Sequence, residues 1–128
     1  MPKISIIIPV YNVQDYLAMC LDSVCYQSMK DIEIICVNDG STDNSLAVLH
    51  AYKRRDKRII IIDKENEGSG VARNTGLKIA RGEYVYFVDG DDWLEQDVLL
   101  KPSKKADETN ADIVIFGGSS CYVKDNGK

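Results

Sequence analysis

The densest group of potentially reactive side chains is Asp89-Gly90-Asp91-Asp92, three carboxylates in four residues directly after the apolar run Tyr84–Val88. In extended chain Asp89 and Asp91 project to the same side, so both can address one ligand. That pattern suits Mg2+ or Mn2+, which are commonly bound through one or two carboxylates, water and phosphate oxygens filling the remaining positions. A metal held there neutralises a diphosphate leaving group and lowers the barrier as a Lewis acid. An acidic turn in which Asp92 caps the next helix is the structural alternative, since acidic turns are common.

Three further positions could do chemistry. Asp39 ends a strongly apolar run beside Gly40, a residue that permits close backbone approach by a ligand. A carboxylate there can accept the imino N–H of a uracil ring, while Tyr11 can stack on the base. A turn, Asn38-Asp39-Gly40-Ser41, that caps the following helix is the competing account, and both can hold. Arg73 falls in the first turn of the third expected helix, where it can pair with Asp39, hold an anionic donor, or simply be a surface arginine. Gly68-Ser69-Gly70 opens like a dinucleotide fingerprint, but Arg73 occupies the third glycine's position and the turn follows the third strand; the fingerprint fails. Trp93, the only tryptophan, reads first as a packing anchor beside the acidic loop, and its neighbourhood keeps a substrate platform open as well. His50, the only histidine, lacks a metal-spaced partner and belongs on a surface, which sets aside zinc chemistry and histidine-based triads.

The elements that must position these residues follow from hydrophobic periodicity. Ile4–Ile8, Ile32–Val37, Ile59–Ile62, Tyr84–Val88 and Ile113–Phe116 are dense in Ile and Val, as expected of strands buried on both faces of a parallel sheet. Between them the chain turns helical. Leu17, Cys20, Leu21 and Val24 make an i, i+3, i+4, i+7 stripe, with Asp15 near the positive end of that helix. A second helix is expected from about Asp43 to Arg55, with Ser41 and Thr42 as N-caps. A third is expected from about Gly70 to Ala80, stopped by Gly82. A fourth is expected over roughly Gln96–Thr109, where Pro102 kinks or restarts it. This alternation predicts an α/β fold: a doubly wound, mostly parallel sheet with helices on both faces. Ligands of such sheets bind beyond the carboxyl ends of the strands, where Pro9-Val10-Tyr11-Asn12, Asn38-Asp39-Gly40-Ser41, Asn66-Glu67-Gly68 and the acidic cluster all fall.

With 128 residues the chain fits one domain or a piece of a larger one. A net charge of −4 argues against nonspecific nucleic-acid binding, which needs a basic stripe. No apolar run approaches the roughly 20 residues that cross a bilayer. Met1-Pro2-Lys3 is too short and wrongly flanked for a signal peptide. Cys20, Cys25, Cys36 and Cys121 form no C-x-x-C pair, and reduced thiols in a cytoplasmic protein are the simplest reading. Asn126-Gly127 is a hairpin signal with no returning strand after it, which reads either as a frayed tail or, the preferred expectation, as the first part of a longer enzyme.

Together these segments resemble the family 2 inverting glycosyltransferases of GT-A fold. The stretches that carry the resemblance are Ser5-Ile6-Ile7-Ile8-Pro9-Val10-Tyr11-Asn12, Val37-Asn38-Asp39-Gly40-Ser41-Thr42-Asp43, Asn66-Glu67-Gly68 through Ala72-Arg73-Asn74-Thr75-Gly76, and Gly82 through Asp92. The resemblance implies a Rossmann-like nucleotide-binding half, a nucleotide-sugar donor (usually a UDP-sugar) and a metal-dependent, inverting transfer. It implies that Pro9, Val10 and Tyr11 line the nucleoside slot and that Asp39 binds uracil. It further implies that Arg73 helps hold the donor, Asp89 contacts ribose, Asp91 coordinates the metal through its DxD spacing, and Asp92 supports the sugar end. The family's catalytic base lies in a later acidic motif with no match before Lys128, so residues 1–128 are expected to form the donor-binding portion, without the base or the acceptor-binding half. A polysaccharide, lipid-linked glycan or protein acceptor is equally allowed, and peripheral membrane association of a full-length protein is compatible. Other readings are a non-catalytic nucleotide-sugar-binding module and a sugar nucleotidyltransferase. The latter wants a glycine-rich, basic phosphate loop after the first strand, which Pro9-Val10-Tyr11-Asn12 does not provide. A phosphoacceptor receiver domain wants paired acids after strand one and a lysine after strand five, and has neither.

Overall fold

The computed structural model describes residues 2–99, 113–116 and 119–123, with side chains described up to residue 99. The elements run β1 (Ile4–Val10), α1 (Gln14–Cys25), β2 (Ile32–Asp39), α2 (Ser45–Arg55), β3 (Ile59–Lys64), α3 (Ser69–Ile79), β4 (Tyr84–Phe87), β5 (Ile113–Phe116) and β6 (Ser119–Val123). They form one sheet of order β3-β2-β1-β4-β6-β5. Strands β1 to β4 are parallel, and β6 runs antiparallel to both β4 and β5.

Burial on both faces explains the isoleucine-dense strands. Alternate residues of β1 (Ile4, Ile6, Ile8, Val10) pack with Leu17, Cys20, Leu21 and Val24 of α1 and Leu49 of α2. Ile7, Ile35, Val37 and Val85 pack on the opposite face with Ala72 of α3. Each fully buried Ile contributes about 1.5–3 kcal/mol, so a one-residue register slip, which exchanges the two faces, would be strongly disfavoured. At the end of the sheet remote from the expected site, Ser5 donates to the buried carboxylate of Glu33, and the Arg81 N–H donates to the same oxygen.

Several boundaries differ from the sequence reading for local reasons. Helix α2 starts at Ser45 with Asn44 preceding it; Ser41 and Thr42 are drawn into bonds with another loop. Helix α3 ends at Ile79 with extended Ala80 as its cap, and Gly82 instead donates its N–H to Ser5 Oγ at 2.7 Å. The described start of the expected fourth helix, residues 96–99, is turn; the remainder, with Pro102, lies outside the described residues. Strand β6 was not foreseen. Its pairing of Ser119 with Phe116 makes β5–β6 a hairpin, one turn earlier than Asn126-Gly127 suggested.

The topology decides where a ligand can sit. From β1 through β3 the chain steps in one direction with α1 and α2 on one face, then α3 crosses the other face and places β4 on the far side of β1. The strand order therefore reverses between β1 and β4. Loops leaving the carboxyl ends of those two strands diverge and open a crevice there.

Candidate functional site

That crevice is a cleft of about 350 Å³ lined by Pro9, Val10, Tyr11, Asp39, Asn66, Gly68, Asp89 and Asp91, together with Val13, Ser69 and Gly90. Six of the eight positions singled out in the sequence thus line one cavity. Arg73 and Asp92 do not line it, but each bonds to a residue that does or to its neighbour. Tyr11 is exposed and free to stack on a ligand ring.

One wall is a pair of loops zipped together. Asn12 adopts a left-handed conformation (φ 50°), one of the few non-glycine residues that tolerate it. Its side-chain oxygen accepts the Thr42 N–H at 2.8 Å, and its own N–H donates to Ser41 Oγ at 3.0 Å. Val13 N–H donates to Ser45 Oγ and Gln14 N–H to Asp43 Oδ2, while Asn44 N–H donates to Gln14 Oε1. The loop after β2 therefore caps α1, and the start of α1 helps cap α2. These crossed caps satisfy helix-terminal N–H groups that would otherwise be orphaned, and they fix Tyr11 between two rigid ends.

Asp39 is the most enclosed polar group of the cleft, only 2% exposed. Its Oδ1 accepts the Glu67 N–H at 2.9 Å and the Lys64 ammonium at 3.3 Å; its Oδ2 accepts the Gly68 N–H at 3.0 Å and, more weakly, the Asn66 amide at 3.5 Å. Burial pushes its pKa up, but the Glu67, Lys64 and Gly68 donors together outweigh burial and hold it below the usual carboxylate value. The partner of Asp39 is thus Lys64, not Arg73, which sequence spacing could not show. Gly40 has φ +72°, and a Cβ there would lie 2.6 Å from the Asn66 backbone nitrogen. Glycine is what lets the loop after β3 close over Asp39.

The acidic loop is held from beneath. Gly90 N–H donates to the Pro9 carbonyl at 3.3 Å and Asp92 N–H to the Asp89 carbonyl at 2.9 Å, so residues 89–92 turn back over the end of β1. The buried Cys20 thiol lies 3.6 Å from the same Asp89 carbonyl. Burial first, then the charges of Asp92, Asp91 and Asp89, pushes that thiol up to about 12. Arg73 donates to Asp89 Oδ1 at 3.0 Å, bridging α3 to the acidic loop. Asp92 Oδ1 accepts the Trp93 N–H, a local bond in place of the helix cap considered from sequence. Asp91 is exposed and, among the described residues, carries no hydrogen bond or ion pair. No group of three or more His, Cys, Asp or Glu is gathered among the described residues, so an all-protein metal cage is absent there. An open carboxylate beside Asp89 fits instead a cation that keeps most of its water and phosphate ligands.

Trp93 departs from expectation. It is 56% exposed and lines an apolar groove with Met19, Tyr26 and Leu94. Leu94 packs partly buried against the core and Leu99 is fully buried within it. His50 is exposed as expected, and Cys20, Cys25 and Cys36 are free thiols. Lys64 was missed altogether. Its only sequence signal was a cation at the polar end of a strand, indistinguishable there from an ordinary surface lysine.

The switch-point cleft, with an acidic loop on one side and an aromatic residue on the other, sits where open α/β sheets bind their ligands. Residues 5–128 match the model of Glycosyl transferase family 2, and the chain belongs to that family. It is 51% identical over 113 residues to glycosyltransferase GlyA of Streptococcus pneumoniae, covering 88% of this chain and 16% of that protein. It is 44% identical over 117 residues to the poly(ribitol-phosphate) beta-glucosyltransferase of Bacillus spizizenii, covering 88% of this chain and 18% of that one. Among solved structures, S. aureus TarS 1-349 in complex with UDP-GlcNAc superimposes with a TM-score of 0.80 at 34% identity, over 87% of this chain and 33% of that one. The mannosyltransferase PcManGT of Pyrobaculum calidifontis, at 20% identity and a TM-score of 0.84 over 95% of this chain and 44% of that one, shares the fold. The architecture is that of the GT-A glycosyltransferases. The chain spans a third or less of the length of the two curated relatives and TarS.

Proposed function

We propose that this chain forms the donor-binding portion of an inverting, metal-assisted glycosyltransferase that takes a UDP-sugar. The observation that carries the proposal is the convergence of Pro9, Val10, Tyr11, Asp39, Asp89 and Asp91 on one cleft, with the Asp91 carboxylate left open. The uridine assignment is supported by the TarS structures, described in complex with UDP and with UDP-GlcNAc.

In this reading Pro9, Val10 and Tyr11 form the nucleoside slot, and Tyr11 stacks on the base. Asp39 accepts the uracil imino N–H by giving up its longest contact, the 3.5 Å one from Asn66. Asp89 contacts the ribose, and Arg73, bonded to it, aligns that contact and adds positive charge toward the diphosphate. Asp91 holds Mn2+ or Mg2+, which when bound supplies charge neutralisation to the departing diphosphate. Asp92 supports the sugar end. An acceptor hydroxyl attacks the anomeric carbon opposite the leaving group; the bond to phosphate breaks, the diphosphate keeps the electron pair, and the hydroxyl proton passes to a base. We assign that base, and the acceptor-binding surface for a polysaccharide, lipid-linked glycan or protein, to sequence outside these residues. Residues 1–128 alone then bind donor without completing transfer. No described helix is long and apolar enough to cross a membrane, and the free thiols support a cytoplasmic setting.

The direct test is calorimetric titration of UDP into this chain in Mn2+, in Mg2+ and in chelator. The expected result is affinity at least about tenfold higher with metal, or 1.4 kcal/mol, and weaker binding of GDP under every condition. Equal UDP affinity in metal and chelator contradicts the acidic-loop assignment, and equal affinity for GDP contradicts the uracil contact.

A further inference from the structure

Asp39 and Glu67 are like charges brought to one side of the nucleoside slot, and the Lys64 ammonium bonds to both. The Lys64 side chain, 14% exposed, reaches Asp39 Oδ1 at 3.3 Å, Glu67 Oε1 at 2.9 Å and the Glu65 carbonyl at 2.6 Å. These three contacts use the three donors of an ammonium group. They tie the end of β3 to both sides of the turn 65–68, which supplies Asn66 and Gly68 to the cleft. We infer that Lys64 is a positioning residue for base recognition, clamping the 65–68 turn over Asp39 so that the edge of a pyrimidine base meets a fixed set of acceptors. The inference rests on the donor-site reading above and deepens it by naming a selectivity determinant that never touches the ligand.

The geometry sets what the clamp controls. Lys64 acts at the end of the cleft formed by Asp39, Asn66 and Gly68, whereas the diphosphate end is formed by Asp89 and Asp91 on β4's side of the switch point. Without the ammonium, Asp39 and Glu67 repel, and the turn loses its tether to β3. The Glu67 and Gly68 N–H groups then drift from Asp39, while nothing at the acidic loop changes. Loss of Lys64 therefore separates base affinity from diphosphate affinity.

The experiment compares wild type, Lys64→Met and Lys64→Arg for binding of UDP, GDP and inorganic pyrophosphate, all in Mn2+. The methionine variant is expected to lose about tenfold in UDP affinity, the scale of one charge-assisted hydrogen bond. Its UDP-over-GDP preference should shrink accordingly, with pyrophosphate affinity held within about twofold. Lys64→Arg, which restores charge and donors, should recover most of the preference. If the methionine variant does not fold, Lys64→Gln, which keeps a donor but not the charge, carries the same comparison. Equal losses for UDP and pyrophosphate would show a merely structural lysine and overturn the inference, as would an unchanged UDP-over-GDP preference. A wild type that binds pyrophosphate but shows no preference for UDP would instead defeat the uridine reading of the site, leaving the two failures distinguishable.

Discussion

Asp91→Asn separates the donor-site reading from its alternatives most sharply, because its effect should change sign with metal. Asp91 is exposed and bonds to no described residue, while its neighbour Asp89 is partly neutralised by Arg73. In chelator, a diphosphate entering the cleft meets that unbalanced carboxylate. At a separation of about 5 Å and a water-like dielectric constant of about 80, each pair of like unit charges repels by about 0.8 kcal/mol. Removing the charge should therefore tighten UDP binding in chelator by about fourfold. In Mn2+ the same change removes an anionic ligand, so the variant should bind UDP more weakly than wild type and its own metal enhancement should fall to within about twofold. Calorimetry at fixed ionic strength near 0.1 M, where screening acts over about 10 Å, reads both effects. Because no described contact is lost, stability should change by no more than about 0.5 kcal/mol. An equal weakening of UDP with and without metal would refute the argument, since it would mean that Asp91 acts through loop structure rather than through its charge.

Two predictions concern the scaffold. Gly40→Ala must place a Cβ 2.6 Å from a backbone nitrogen at φ +72°; left-handed backbone alone costs about 1–2 kcal/mol, so urea denaturation should show a loss above about 2 kcal/mol, and a loss below about 0.5 kcal/mol would contradict the close approach. Asp56 is held at about 2, chiefly by its hydrogen bond from Arg58. Its folded value lies below the unfolded one, so its stabilisation is complete above about pH 4 and disappears between about pH 4 and pH 2. Asp56→Asn should accordingly be less stable than wild type at pH 7, with the gap closing by pH 2; a gap independent of pH over that interval would show that the ion pair does not contribute.

The sheet was legible because burial on both faces leaves a strong trace. Ile4–Ile8 and Ile32–Val37 read as central strands since water touches neither side of them, and the buried stripe of α1 follows one period. What was not legible depends on contacts between segments remote in sequence. Ser41 and Thr42 have the composition of N-caps, but Asn12, 29 and 30 residues earlier, recruits them across the loops. Gly82 has the composition of a helix stop, but its N–H serves Ser5, 77 residues away. Trp93 read first as a packing anchor beside the acidic loop, yet it is exposed and lines a surface groove with Met19, Tyr26 and Leu94. In each case residue type was read correctly while its partner was set by topology.

In the donor-site reading proposed above, that distinction decides which carboxylate is placed to meet a metal. Sequence spacing places Asp89 and Asp91 on one side of the chain and treats them alike. The fold does not: α3 delivers Arg73 to Asp89, and β3 delivers Lys64 to Asp39. Of the three carboxylates lining the cleft, two have a cation from an adjoining element, and only Asp91 has none among the described residues. Beside an uncompensated carboxylate a diphosphate is repelled by about 0.8 kcal/mol per pair of like unit charges at about 5 Å in water-like surroundings, and a cation between them removes that penalty. We therefore assign the divalent ion to Asp91, because the fold has already supplied Asp39 and Asp89 with cations of their own.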